Sequence, residues 1–199
     1  MHTGYEPDRS FFRPLSIMKG YDGYLIGQLS FHRSCRNSLK SAAPGEVRVR
    51  KRRKNYAILE LWGEECVLTV TLFRPNSFLQ HTESGKTGTQ RQEMKQKRMS
   101  ENVIVRRSFS VSEIWDFVTF VKDTNSIHRT AEPVVPGLLL AEWFFMVLPF
   151  CDWETVEIRF HTPAFAEQIL CLGKQSDQYV CFLEETGQIL FSCIVCAVT

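Results

Sequence analysis

The sequence lacks an uninterrupted apolar run long enough to span a bilayer. Its longest candidate extends only from Val134 to Phe150, and three residues interrupt it: Pro136, Gly137 and Glu142. A transmembrane helix needs roughly 20 apolar residues. The N-terminus also lacks the basic-then-apolar layout of a secretory signal, because charged residues precede its first apolar run. We therefore expect a buried helix in the run, no contact with a membrane, and a cytoplasmic location.

A strong excess of either charge is also missing. The chain has 24 Lys and Arg against 22 Asp and Glu, a formal net charge of +2. No global field then favours nucleic acid as a partner. The 199 residues are 44% hydrophobic and 12% aromatic, which is enough to bury the core of one large domain or two small ones.

Cysteines with the spacing of a metal or redox site are scarce. The chain has seven cysteines, an odd number, and most lie in strand-like apolar runs, where cysteine behaves as a small hydrophobe. The pair Cys193 and Cys196 has the spacing of a thiol site. Their odd separation within a strand directs the two side chains to opposite faces. We expect reduced, structural cysteines.

The second half of the chain predicts a clear order of elements. A strand over Glu101–Ser110 leads into a capping box formed by Ser110 and Glu113, which starts a helix that ends near Asp123. A polar segment and the buried helix follow. From Thr155 onward, alternating patterns predict about four antiparallel strands. The apolar face of the first helix is predicted to hold Val111, Ile114, Trp115, Val118 and Val121.

The first half repeats part of this order. Leu29–His32 is similar to Ile158–His161, and the hairpin over Tyr56–Leu72 is similar to the one over Tyr179–Val195. The first half has no counterpart of the buried helix. We therefore expect a degenerate unit over residues 1–76, a polar linker over 77–101, and the main domain over 102–199. The predicted class is α+β, with an antiparallel sheet wrapped around one central helix.

Titratable side chains gather just before the buried helix. His128 lies on a polar loop, where a neutral imidazole can accept a proton near neutral pH. Asp123 is close enough in sequence to orient this imidazole or to share its acid–base work. Asn125 is expected to fix the loop through hydrogen bonds to backbone groups. The alternatives are a structural histidine bonded to backbone and an aspartate that caps the preceding turn.

The buried helix itself supplies two further candidates. An unpaired carboxylate is costly in an apolar environment, so Glu142 would either stay protonated and donate a proton, or face solvent, or pair with an arginine such as Arg129 or Arg159. Gly137 begins the helix, and its first N–H groups have no partner within the helix. They could hold an oxygen that gains negative charge. Gly after Pro is also an ordinary turn signal.

These residues resemble two related families of enzymes. One resemblance is to the active-site segment of the bacterial 3-hydroxyacyl carrier-protein dehydratases, in the spacing of His128, Pro133, Pro136, Gly137, Leu139 and Glu142. The other is to the motif of the MaoC-like (R)-specific enoyl-CoA hydratases, in Asp123, Asn125, Ile127 and His128. Both families have the hotdog fold, and the resemblance covers residues 102–198. It implies a hotdog domain here, and a double hotdog if the first half is a degenerate second unit.

The resemblance implies reversible dehydration of a (3R)-hydroxyacyl thioester without a metal or redox cofactor. His128 would handle the proton at C2, a carboxyl group would exchange a proton with the 3-hydroxyl, and the Gly137 N–H would hold the thioester oxygen. Asn125, Pro136 and Leu138 would bind substrate or fix the loop. Two departures from the families are Arg129-Thr130-Ala131, where the dehydratases have Phe-Pro-Gly, and Ser126, where the hydratases have proline.

The identity of the acid depends on how hotdog units pair. If the two halves pair within one chain as a pseudo-dimer, Asp123 is the acid, because the first half has no helix carboxylate to offer. If two second halves pair in a homodimer, Glu142 can serve. A hotdog acyl thioesterase and a non-catalytic acyl-binding subunit are the alternative functions.

A short basic run is the exception to the even charge distribution. Six of the seven residues from 48 to 54 are basic: Arg48, Arg50, Lys51, Arg52, Arg53 and Lys54. Such a patch near a substrate entrance would attract an acidic acyl carrier protein or the phosphates of coenzyme A. Alternatively, it is a solvated hairpin that keeps an edge strand from aggregating.

Overall fold

The computed structural model describes residues 9–33, 43–74, 102–148 and 153–197. The predicted linker over 77–101 lies outside the described residues, as do Cys35 and Cys151. The helices are α1 (Arg9–Ser16), α2 (Val111–Phe120), a 3-10 helix (Ser126–His128) and α3 (Gly137–Val147). The strands are β1 (Leu25–Arg33), β2 (Val47–Arg53), β3 (Tyr56–Trp62), β4 (Cys66–Phe73), β5 (Val103–Arg107), β6 (Trp153–Phe160), β7 (Leu170–Gln175), β8 (Gln178–Leu183) and β9 (Ile189–Ala197).

The described strands form one antiparallel sheet in the order β2-β3-β4-β1-β6-β9-β8-β7-β5. The halves meet at its centre, where β1 pairs with β6 and Leu29 lies opposite Ile158. Outward from this seam, the first half runs β1-β4-β3-β2 and the second runs β6-β9-β8-β7, which is the same order. The second half adds β5 at the outer edge. The similar segments noted in the sequence therefore occupy equivalent places in the sheet.

Helix α3 is the centre of the core. Eight of its eleven residues, from Leu138 to Phe145, are buried. Its aromatic rings contact both halves of the sheet: Phe145 packs edge-on against Phe31 with ring centroids 4.8 Å apart, and Phe144 packs against Phe191 at 6.1 Å. A continuous apolar run therefore forms a helix that the sheet surrounds, as the pattern predicts.

The short helix α1 is an element that the sequence analysis did not predict. Its eight residues contain Pro14, and its buried side chains are Phe12 and Leu15. Phe12 contacts Phe31 of the sheet, with ring centroids 6.4 Å apart. Two buried residues in one short helix leave little periodicity to detect, which explains the omission.

Helix α2 confirms the predicted capping box and corrects the predicted apolar face. Ser110 accepts a hydrogen bond from the Glu113 N–H, and the Glu113 carboxylate accepts one from the Ser110 N–H. Trp115 is 49% exposed, and Phe117 is fully buried in its place. The face that meets the core is centred on Ile114, Phe117, Val118 and Val121, which helical spacing brings together.

The described cysteines are free thiols. Cys66, Cys171, Cys181 and Cys193 are buried, whereas Cys196 is exposed, so the pair at 193 and 196 lies on opposite sides of β9 as strand spacing predicts. Burial raises the pKa of the Cys181 and Cys193 thiols, which keeps them protonated and unreactive. In the described ranges, no helix has the length and hydropathy needed to cross a membrane.

Candidate functional site

A cavity of about 290 Å³ lies between the two halves, on the concave side of the sheet. The first half contributes an apolar wall that includes Leu59, Val70 and Leu72. The second half contributes polar groups from the loop between α2 and α3, together with the start of α3: Asp123, Asn125, His128, Pro136, Gly137 and Leu138. The volume is near the lower end of the range for small-molecule sites.

The end of α2 determines where Asp123 lies. Lys122 has a left-handed backbone with φ of 60°. Its N–H donates to Thr119 O at 3.2 Å, and the Asp123 N–H donates to Val118 O at 2.8 Å. These two bonds form a Schellman motif, with lysine in the position that usually holds glycine. The Asp123 backbone is thereby tied to the helix.

His128 ends the 3-10 helix and is 7% exposed. Its Nδ1 lies 2.7 Å from Val134 O. A carbonyl oxygen only accepts, so Nδ1 carries the hydrogen and the Nε2 of the neutral ring keeps its lone pair. Burial lowers the pKa of His128, and the charge of Asp123 partly opposes this shift. The imidazole is therefore held in one tautomer, with Nε2 available as a base.

Asp123 and His128 face each other across a short gap. His128 Nε2 lies 3.8 Å from Asp123 Oδ2, which is too long for a direct hydrogen bond. The other carboxylate oxygen, Oδ1, accepts from the Asn125 N–H at 2.8 Å. Arg129 holds the same turn by donating to Asp123 O at 2.6 Å. One small group, such as a hydroxyl or a water, can contact both Nε2 and Oδ2.

Asn125 joins this segment to the first half of the chain. Its side-chain amide donates to Tyr24 O at 2.9 Å, and its Oδ1 accepts from the Gly23 N–H at 2.9 Å. Both donor and acceptor functions of the amide are thus used by one turn. Asn125 fixes the loop through backbone groups, and those groups belong to the other half of the molecule.

Gly137 begins α3 at the cavity wall, with Pro136 as the preceding cap residue. The first intrahelical bond runs from the Leu140 N–H to Pro136 O. A Cβ at position 137 would lie 3.3 Å from Ile26 Cδ1 and 3.4 Å from Phe160 Cζ. Glycine therefore allows the helix start to approach both β1 and β6, with the positive end of its dipole at the cavity.

Glu142 lies apart from this group. It does not line the cavity, and both of its oxygens accept from Arg9 Nε at 3.0 Å. Arg9 also lies over the ring of Phe117, 5.7 Å from its centroid. The carboxylate within the apolar helix is thus paired with an arginine of α1, a different partner from the two that the sequence suggested. The described geometry brings Asp123, and not Glu142, to His128.

Comparisons with known proteins identify the architecture. No protein-family model matches the chain, and no curated protein sequence matches it significantly. Among solved structures, HtdX of Mycobacterium tuberculosis aligns with a TM-score of 0.59 at 9% identity, over 90% of this chain and 77% of that one. Peroxisomal multifunctional enzyme type 2 from Drosophila melanogaster aligns with 0.55 at 16% identity, over 96% and 40%. A MaoC-like dehydratase from Phytophthora capsici aligns with 0.46 at 12%, over 92% and 75%.

The chain has the hotdog fold. This confirms the predicted α+β class. Within the described residues, the first half contributes four strands and the short helix α1. At 9% and 16% identity, the likeness to HtdX and to the peroxisomal enzyme is a likeness of fold.

The basic run forms part of the outer edge of this hotdog sheet. The bulge between Val49 and Lys51 changes the alternation, so Arg52 pairs with Ala57 on the concave face. Arg48, Lys51 and Arg53 lie opposite Glu60, Ile58 and Tyr56, on the convex face. Arg52 lies over the Tyr21 ring, 5.1 Å from its centroid, and donates to Gly20 O at 3.4 Å. Tyr21 and Gly20 both line the cavity, so Arg52 lies beside it.

The turn around Asp22 also belongs to the site, although no pattern in the sequence predicted this. Asp22 Oδ1 accepts from the Ser126 N–H at 2.8 Å and from Ser126 Oγ at 3.0 Å. The dipeptide Asp22-Gly23 is a turn signal, which indicates a turn but not its partner. Only the folded chain places it against the loop that leads to His128. Within the described ranges, no group of His, Cys, Asp or Glu side chains is arranged to hold a metal ion.

Proposed function

We propose that the protein catalyses the reversible dehydration of (3R)-hydroxyacyl thioesters. The observation that carries the proposal is the meeting of a buried imidazole and a carboxylate, His128 and Asp123, in a cavity bordered by the start of a buried helix. One of these groups can act on a carbon-bound proton and the other on a hydroxyl. The helix start can hold the thioester oxygen between them.

The proton balance of this reaction is simple. In dehydration, His128 Nε2 takes the proton from C2 while a protonated Asp123 gives its proton to the departing 3-hydroxyl, and water leaves. In hydration, Asp123 takes a proton from water as its oxygen attacks C3, and the imidazolium returns its proton to C2. In each direction, the reactive form of the enzyme has one transferable proton on His128 and Asp123 together: on Asp123 for dehydration and on His128 for hydration. Burial that lowers the pKa of His128 makes its imidazolium a stronger acid toward C2.

The enolate oxygen is assigned to the first turn of α3. Negative charge develops on the thioester oxygen when C2 loses its proton, and the N–H groups of the first turn of α3, which have no partner within the helix, point toward its N-terminal end. Gly137 lines the cavity and carries no side chain of its own that could block the approach of an oxygen to its N–H. Leu138 and Pro136 complete this wall of the cavity.

Assays with defined thioesters test the proposal. The protein should hydrate crotonyl-CoA or longer (2E)-enoyl thioesters, with loss of the ultraviolet absorbance of the enoyl group and formation of the (3R)-hydroxyacyl product. Release of free acid and thiol instead would identify a thioesterase. Binding without turnover of any enoyl or 3-hydroxyacyl thioester would identify an acyl-binding subunit.

The apolar wall of the first half is proposed to hold the acyl chain. Leu72 lines the cavity, whereas Leu68 lies four residues earlier on the same face of β4 and does not. Leu72→Phe should therefore lower kcat/KM for a long-chain enoyl thioester about tenfold while sparing crotonyl thioester. Leu68→Phe is the matched control and should change both substrates alike. Equal effects of Leu72→Phe on short and long chains would contradict this placement.

We also propose that Arg52 attracts the phosphate-bearing carrier of the substrate, on coenzyme A or on an acyl carrier protein. Arg52→Ala should raise KM with little change in kcat, most clearly at low ionic strength. Arg53→Ala removes the same charge from the neighbouring residue on the convex face and should have a smaller effect. Equal changes in KM for the two variants would indicate that the whole basic run attracts the carrier electrostatically, without a specific contact between Arg52 and a phosphate.

A further inference from the structure

The turn from Asp22 to Tyr24 contacts the loop that carries the proposed catalytic pair. Asp22 accepts two hydrogen bonds from Ser126, at 2.8 and 3.0 Å. Gly23 and Tyr24 use their backbone groups to hold the Asn125 amide, each at 2.9 Å. All three residues of a turn in the first half therefore bond to two successive residues of the second half.

These two residues lie between Asp123 and His128 in the chain. Ser126 is the first residue of the 3-10 helix that ends at His128, so the position of its N–H determines where that helix begins. Asn125 holds the Asp123 end of the segment, because its own N–H donates to Asp123 Oδ1. The turn thus holds the midpoint of the segment whose two ends supply the acid and the base. A displacement of about 1 Å in such a segment can cost two orders of magnitude in rate.

We propose that Asp22 is a positioning residue for the catalytic pair, acting through Ser126. The inference rests on the proposed dehydratase function, and it assigns to the degenerate first unit a role in catalytic geometry. The first unit supplies no second acid–base pair of its own within the described residues, yet its turn keeps His128 and Asp123 facing one cavity.

The charges around the contact agree with this role. The hydrogen bonds from Ser126 lower the pKa of Asp22, and the Arg74 guanidinium adds to the effect. Asp22 therefore remains an acceptor throughout the neutral range. The charged groups that act on His128 are Asp123, which raises its pKa, and Arg129, which lowers it. Since Asp22 is not among them, its influence on the imidazole is expected to come through position.

Titration of His128 by NMR measures that position without any substrate. In the wild type, the His128 ring signals should titrate below those of an ordinary histidine, and His128→Asn identifies them among the five histidines. Asp22→Ala releases Ser126 and lets water reach the imidazole, so the His128 pKa should rise. The same variant should lower kcat about tenfold with KM nearly unchanged.

Two variants separate the hydrogen bonds from the charge. Asp22→Asn keeps an oxygen that can accept from Ser126, so it should retain both the wild-type titration and most of kcat. Ser126→Pro removes both donors but fits the backbone, because Asn125 is extended at φ −66° and ψ 118° and proline is tolerated at the first helical residue. In the Ser126→Pro background, Asp22→Ala should have no further effect. A full additional loss there would overturn the proposal.

Glu46→Ala is the matched control for general loss of stability. Glu46 is also a first-half carboxylate that accepts from a backbone N–H, that of Ala43, and from a side chain, Arg48, and it does not line the cavity. It should leave the His128 titration and kcat unchanged. Equal changes in Glu46→Ala and Asp22→Ala would reduce Asp22 to a structural role. If the wild type hydrates no thioester, the dehydratase proposal fails, while the NMR titration still decides whether Asp22 positions His128.

Discussion

Replacing His128 with asparagine should lower kcat for hydration of an enoyl thioester at least about a hundredfold, the usual scale for loss of a positioned acid–base group. The asparagine amide can still donate to Val134 O, the acceptor of the wild-type Nδ1–H, so the loop should keep its backbone. What disappears is the Nε2 lone pair that faces Asp123. The measurement is the initial rate of absorbance change, with folding checked by circular dichroism.

The alanine variant at the same position gives a second, harsher test. His128→Ala should lose as much activity, and it should also unfold more easily, because Val134 O is left without its partner in a buried site. His32→Ala is the control for loss of an imidazole, since His32 is exposed and does not line the cavity. Activity near the wild-type level in His128→Asn would remove the proposed mechanism whatever the stability results.

Much of the second half could be predicted because its local signals agree with its tertiary contacts. The capping box at Ser110 and Glu113 depends on neighbours within one turn, and β6 alternates because one face meets the core. The continuous apolar run of α3 reflects burial on all sides. In each case, the residues that determine the element lie next to one another in the sequence, so a periodic pattern can reveal it.

The contacts between the halves could not be predicted in the same way. Arg9 lies 133 residues from Glu142, and Asp22 lies 104 residues from Ser126. An arginine near the start of the chain and an Asp-Gly turn carry no sign of their distant partners. Only the β1–β6 seam, which joins the two units into one sheet, brings them into reach. Arg129 and Arg159 are the arginines nearest to Glu142 in the sequence, yet nearness in sequence does not determine the partner of a residue in a central helix.

Which carboxylate is the acid, Asp123 or Glu142, decides whether the proposed active site forms within one chain or between two. Asp123→Asn should lower kcat at least about a hundredfold, because the amide can still accept from the Asn125 N–H but can no longer exchange a proton at the position of Oδ2. Glu142→Gln should keep kcat and lower the free energy of unfolding by roughly 1 kcal/mol, since its ionic partner Arg9 is itself partly exposed. Steady-state rates and denaturant unfolding of the same preparations separate the two effects.

The opposite pattern would place the acid on α3 of another molecule. Retained rate in Asp123→Asn with loss in Glu142→Gln would require the carboxylate to leave Arg9 and to reach His128 across an interface between two second halves. Within one chain, Glu142 and His128 do not act together, because Glu142 holds α1 through Arg9 and does not line the cavity. Strand β6 is already paired with β1 of the first half on one side and with β9 on the other, so it offers no free edge to a second copy. The intrachain pairing therefore favours Asp123, and it makes the turn at Asp22 the natural support for the pair.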